Sequence, residues 1–324
     1  MTRRLVAGVA AFAALTLSAS SWSQPVQVDP TIPAYQQTSG VAGNLNSIGS
    51  DTLNNLMTFW AEGFRKEYPN LRIQIEGKGS STAPPALISG TAQIGPMSRT
   101  MKDEEIDAFE KRFGYKPTPI RVAVDALAVF VHKDNPLERL TLTQVDTVFS
   151  KTRRCGAPAA IDTWGQLGLD GAWASRPISL YGRNSASGTY GYFKKVALCK
   201  GDYRDSVKEQ PGSASVVQGI TEDLGGIGYS GIGYRTSGVK TLALAKNEAT
   251  PYGTTEPADV YAGRYPLSRF LYLYVNKAPN RPADPMVEQF LRFVLAREGQ
   301  EIVVKDGYLP VSRSVVDAEL AKLK

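Results

Sequence analysis

The chain has 324 residues, 42% of them hydrophobic and 21% charged, an ordinary balance for a globular protein. Its formal charge is +6, yet no dense Lys/Arg cluster interleaved with aromatics occurs, so no nucleic-acid partner is expected. One histidine and two distant cysteines do not make a zinc site, and no cofactor is expected.

Arg3 and Arg4 precede an uncharged apolar run from Leu5 to Leu17, and no acidic residue occurs before Asp29. That order is the pattern of a secretory signal peptide, expected over residues 1–23. The run is too short to span a bilayer, which needs about 20 residues. Removing Arg3 and Arg4 takes the charge from +6 to +4, a mild basic excess that suits an anionic ligand. Residues 24–42, rich in Pro, Gln, Thr and Ser, read as a flexible leader. Export favours a disulfide between Cys155 and Cys199, with two reduced buried thiols as the alternative.

From Gly43 onward, short apolar strands alternate with amphipathic helices, which argues for an α/β architecture. Leu53, Leu56, Met57, Trp60 and Phe64 recur at helical spacing, and Tyr68-Pro69 ends the run. Leu71, Ile73 and Ile75 alternate as a strand, and a helix is expected around Leu87 and Ile88. Asp103 to Phe113 reads as a helix whose acidic first turn complements the helix dipole. Residues 120–131 form a long apolar run holding one acid, Asp125, and Phe270 to Val275 form a comparable run near the other end. Two such segments suggest a chain that crosses twice between lobes. Lobe 1 would hold residues 43–125 plus 267–324, and lobe 2 residues 126–266, with a ligand cleft between them. A helix on Met286, Phe290, Leu291, Phe293 and Val294 is expected to close the chain before Gly307 to Pro310.

Three segments share one local grammar, in which a strand runs into Gly, Ser and Thr and then into a helix. They are Gly49-Ser50-Asp51-Thr52, Gly79-Ser80-Ser81-Thr82 and Ser185-Ala186-Ser187-Gly188-Thr189. A first helical turn offers unpaired N–H groups and a partial positive charge, hydroxyls add donors, and Gly permits close approach. One such terminus is commonly just a cap; three suggest an anion site. Arg183, four residues before Ser187, adds a planar fork able to donate two parallel hydrogen bonds to an oxyanion.

The Arg183-x-x-x-Ser187-Gly188-Thr189 segment resembles the anion-gripping motif of the periplasmic phosphate-binding proteins of phosphate-specific ABC transporters. The likeness extends over nearly the whole exported chain. It is carried by Ile48 to Thr52, the Gly-x-Gly-Ser-Ser loop ending at Ser81, Ile94 to Arg99, Leu140 to Val145 with Trp164 after it, Gly226 to Tyr229, and Gly307 to Pro310. It implies a type II periplasmic-binding-protein fold of two hinged lobes. It also implies a periplasmic, monomeric carrier of inorganic phosphate that serves an inner-membrane ABC permease. By position, Arg183, Ser187, Gly188 and Thr189 would bind from lobe 2, Ser80 and Ser98 from lobe 1, with the Ser50-Asp51-Thr52 turn beside them. Family members commonly carry a carboxylate where this chain has Ser98, an acceptor for the proton of hydrogen phosphate. Asp51 is the first candidate for a substitute acceptor and Asp125 the second.

Other readings carry less. Gly226-Ile-Gly228-Tyr-Ser-Gly231 matches a dinucleotide fingerprint but lacks a clear opening helix or the acid about 20 residues on. Ser237 to Lys240 fits S-x-x-K but runs into a strand-like segment, whereas the catalytic version opens a helix. A hydrolytic triad would have to use His132, which sits in a turn-like segment. A secreted phosphatase or serine hydrolase therefore stands as the alternative, together with a binder of sulfate or a phosphonate.

Overall fold

The computed structural model describes residues 26–324, so the signal peptide expected over 1–23 lies outside the described residues. After a segment without helix or strand come β1 (Asn44–Gly49), α1 (Asn54–Glu67), β2 (Arg72–Gly77), α2 (Ala83–Ser89), β3 (Ile94–Met97), α3 (Asp103–Phe113) and β4 (Thr118–Ala126). The stripe of α1 buries Leu56, Met57, Trp60 and Phe64, as its spacing dictates. A second set follows: β5 (Ala128–His132), β6 (Arg139–Thr141), α4 (Leu142–Phe149), β7 (Ser179–Arg183), α5 (Gly188–Val196), β8 (Lys208–Gln210), α6 (Ser213–Glu222), β9 (Gly226–Ser230), β10 (Val239–Thr241), β11 (Ala243–Ala245) and α7 (Pro257–Tyr261). The chain then returns through β12 (Ser268–Val275) and ends in α8 (Pro285–Leu295), α9 (Arg297–Lys305) and α10 (Arg313–Ala321).

One five-stranded sheet has the order β2-β1-β3-β12-β4, and the other β10-β5-β9-β7-β8. The first draws on both ends of the chain and the second on its middle. The long apolar run at 120–131 is divided between them at Leu127, whose N–H donates to Leu267 O at 3.2 Å. Both crossings therefore lie side by side. Asp125 on β4 stands opposite Arg269 on β12 in the same register. A large core lies under the first sheet, including Trp60, Phe64, Phe290 and Leu271, and another under the second, including Val129, Phe149, Phe193 and Tyr229. Among the described residues, no helix is long and apolar enough to cross a membrane.

Two expectations are corrected. Residues 26–42 contain no regular element, yet they do not behave as a loose leader: Ile32 is fully buried. Tyr35 packs edge-on against Phe293, and its hydroxyl donates to Gln289 Oε1 at 2.9 Å. The helix built on Met286 to Val294 does not close the chain, since α9 follows it directly and α10 comes after Pro310. Cys155 and Cys199 form a disulfide, with Cα atoms 5.4 Å apart, that ties the loop after α4 to the end of α5.

Candidate functional site

The three Gly/Ser/Thr segments lie far apart in sequence, yet the two sheets bring their helix starts to one place. Ser50 and Asp51 follow β1, and Ser50 N–H donates to Pro96 O at 2.8 Å, which fixes that turn beside the end of β3. Gly79 has φ of +122°, a left-handed conformation that an L side chain resists. A Cβ there would also stand 2.5 Å from Ala186 O on the opposite side, and Ser81 N–H donates to that same carbonyl at 3.1 Å. Gly79 is thus required twice, for its dihedral and for the closeness of the lobes.

Hydroxyls line the first-lobe side. Ser50 Oγ donates to Ser98 Oγ at 3.0 Å, and Ser80 Oγ lies 3.2 Å from Ser98 Oγ. Ser98 N–H donates to Ser80 Oγ at 3.0 Å. Gly188, the first residue of α5, faces this group directly: a Cβ on it would overlap Ser80 Oγ and stand 2.7 Å from Ser98 Oγ. Thr189 Oγ1 is 2.9 Å from Thr52 Oγ1 across the same seam. Ser187 has a different task, since its Oγ accepts from Thr189 N–H and Tyr190 N–H as the N-cap of α5.

Arg183, at the end of β7, is 1% exposed. Its Nη1 stands 3.1 Å from Asp51 Oδ2 and donates to Ser213 Oγ at 2.7 Å, while Nη2 donates to Pro211 O at 3.1 Å. Its Nε is buried with no hydrogen-bond partner, a donor aimed at nothing in the protein. Burial lowers the guanidinium pKa from its ordinary value, and the Asp51 carboxylate opposes that shift. Asp51 Oδ2 also accepts from Ser213 N–H at 2.8 Å, so the carboxylate bridges Arg183 and the start of α6.

All nine residues expected at the site therefore belong to one connected cluster, and eight of them are buried, Asp51 being partly exposed. Asp125 does not fit the role of spare acceptor. Its Oδ2 accepts from Arg269 Nε and Nη2 at 3.0 and 2.8 Å, and its Oδ1 accepts from Ile232 N–H at 3.0 Å. Both oxygens are already committed. Arg269 is the residue that sequence reasoning missed: it donates from Nη1 to Ser98 O and from Nη2 to Thr189 Oγ1, at 2.8 and 2.9 Å. A cavity of about 640 Å³ adjoins the cluster, between Arg99, Lys102 and Arg269 on one side and Tyr192 and Lys195 on the other.

The rival motifs fall elsewhere. Gly226 to Ser230 is β9 itself, followed only by a single 3-10 turn at Ile232–Tyr234, and Val239 to Thr241 is β10, so neither opens an α-helix. His132 Nδ1 accepts from Asp134 N–H in a turn. Among the described residues, no group of His, Cys, Asp and Glu could hold a metal ion.

Two sheets joined by adjacent crossings, with a seam of convergent donors between them, define a two-lobed solute-binding protein of type II topology. The PBP superfamily domain matches residues 33–298. The phosphate-binding protein PstS of Pseudomonas aeruginosa is 58% identical over 321 residues, covering 99% of this chain and 98% of that one. PstS of Staphylococcus haemolyticus is 28% identical, covering 87% and 85%. The crystal structure of a putative phosphate ABC transporter substrate-binding protein with bound phosphate, from Clostridium perfringens, superposes with a TM-score of 0.69. It is 27% identical and covers 83% of this chain and all of that one. The chain belongs to the PBP superfamily and, within it, to the family of PstS phosphate-binding proteins.

Proposed function

We propose that this protein is the exported solute-binding component of an ABC importer, which holds inorganic phosphate between its lobes and delivers it to an inner-membrane permease. The observation that carries the reading is Arg183: buried, held in place by Asp51, and left with an unused Nε donor beside the cluster of hydroxyls. The relatives of the chain support phosphate as the ligand, because one 58% identical is a phosphate-binding protein along its whole length. The division of strands between the two sheets supports lobes of about 43–125 plus 267–324, and 126–266, although β4 of the first sheet runs on to Ala126.

In this reading, Ser50, Asp51, Thr52, Ser80 and Ser98 contribute from one lobe, and Arg183, Ser187, Gly188 and Thr189 from the other. Ser187 acts by capping α5, which keeps the Gly188 and Thr189 amides at the seam. Closure is a shift in population, driven by contacts that both lobes make only when together. Charge-assisted hydrogen bonds supply the affinity. A binder needs no covalent step, and membership of a solute-binding family agrees with that. The protein works as a monomer in the periplasm. Calorimetric titration with phosphate, sulfate and arsenate tests the reading: one phosphate should bind per chain, and Arg183→Ala should abolish it. Turnover of a phosphate ester, or undiminished binding by Arg183→Ala, would overturn it.

A further inference from the structure

Arg269 is a buried cation that the binding reading does not use. It lies on β12 in the first lobe, 7% exposed, and its guanidinium reaches into the second. Asp125 and Ser98 O hold it from its own side. Thr189 Oγ1 and the ring of Tyr192, 5.2 Å from the guanidinium carbon, meet it from α5. Tyr192 OH in turn donates to Ser268 O at 2.7 Å, beside Arg269. Two of these contacts lie within one lobe and would survive opening; the others exist only while the lobes are together.

We propose that Arg269 is a positioning residue of the phosphate site, aiming the Thr189 hydroxyl proton and latching the closed lobes. The inference rests on the phosphate-binding reading above. The chemistry is one of donors and acceptors. A guanidinium can only donate, so Thr189 Oγ1 spends a lone pair on Arg269 Nη2. The hydroxyl proton of Thr189 is then turned away from Arg269, toward the seam where Thr52 Oγ1 stands 2.9 Å off. A bound oxyanion meets Thr189 as a donor, with no rotamer search. By holding Ser98 O as well, Arg269 sets the loop that carries the Ser98 hydroxyl.

Charge separates this role from simple attraction. Arg269 is paired with Asp125, as Arg183 is with Asp51, so the pair adds little net charge at the site. Its loss should change how fast phosphate leaves far more than how fast it arrives.

Stopped-flow binding to the purified protein tests this with inorganic phosphate. An ammonium at 269 can hold Asp125 but cannot span Ser98 O and Thr189 as a planar fork does. Arg269→Lys should raise the phosphate off-rate about tenfold or more while the on-rate stays within about threefold. Because a lone variant disturbs the buried pair, Arg269→Met with Asp125→Asn is measured beside it; the Asn carbonyl can still accept from Ile232 N–H, and the same off-rate rise is expected. In a double-mutant cycle, Thr189→Val should absorb most of the Arg269→Lys effect. An unchanged off-rate in both Arg269 variants, or fully additive losses in the cycle, overturns the proposal. Arg183→Ala run alongside keeps the two readings apart: if it abolishes binding while Arg269 variants bind normally, only the latch fails.

Discussion

Asp51 Oδ2 stands 3.1 Å from Arg183 Nη1, so a carboxylate of one lobe is paired with the buried guanidinium of the other. The pair fixes the direction of the arginine fork and closes the seam at the same time. Under the proposed function, Asp51 is also the candidate acceptor for the proton of hydrogen phosphate, a proton that sulfate does not bring.

Replacing that carboxylate tests its part in selectivity. Asp51→Asn should weaken phosphate binding about tenfold, since the ion pair that holds the Arg183 fork is lost. The preference for phosphate over sulfate should shrink as well, because an amide no longer repels the proton-free anion. Competition titrations at one ionic strength measure the ratio. An unaltered ratio would remove Asp51 from the selectivity mechanism.

Gly188→Ala probes closure itself. The nearest atoms to a Cβ at that position are Ser80 Oγ, Ser98 Oγ and Ser80 Cβ, all on the opposite lobe. Each lobe should fold normally, and the melting temperature without ligand should stay within about 2 °C of the parent. Phosphate affinity should fall about tenfold or more, because the overlap is met only when the lobes come together. Small-angle scattering should show the phosphate-induced compaction reduced. A variant that binds phosphate with full affinity would show that the seam has slack the geometry does not allow.

How much of this was legible beforehand depended on whether the signal was local. The three Gly/Ser/Thr turns and Arg183 were readable because a strand-to-helix start announces itself within a few residues. Asp125 was visible as an oddity in an apolar run, but its true partner, Arg269, stands 144 positions away and sits just ahead of Phe270. Only the antiparallel pairing of β4 with β12 makes them neighbours. One acid and one base, each at the edge of an apolar run, form a signal that strand pairing alone can decode. The docked leader was missed for the opposite reason. Ile32 and Tyr35 are two anchors in a polar stretch, too few to create any period.

Those two anchors make the leader testable. Ile32 is fully buried in the main core of the first lobe, and Tyr35 N–H donates to Glu298 Oε2 at 2.8 Å. Ile32→Ala should therefore cost about 2–4 kcal/mol of stability, the usual toll for emptying a buried aliphatic site. Phosphate affinity should hardly change, as the anchors lie away from the seam. Urea unfolding of the variant checks this. A loss below about 0.5 kcal/mol is what an undocked leader would give.

Asp306 sets a pH dependence whose sign can be worked out. It lies just past α9, where its carbonyl would stand 2.6 Å from a Cβ on Gly233, and its charge adds to the burial that raises the hydroxyl pKa values of Tyr234 and Tyr308. Burial pushes its carboxyl from the ordinary 3.8 up to about 7. The folded protein thus keeps a proton that the unfolded chain has already released, and across this interval the unfolded state binds fewer protons. Stability falls as pH rises in that case. The contribution is fully present below 3.8, is lost progressively on the way to about 7, and stays lost above that. The carboxyl is only partly buried, so water screens part of the effect. Asp306→Asn cannot ionise, and its melting temperature relative to the parent should climb between about pH 4 and pH 8. A difference that stays flat over that range would mean that Asp306 ionises in the folded protein as it does in the unfolded chain.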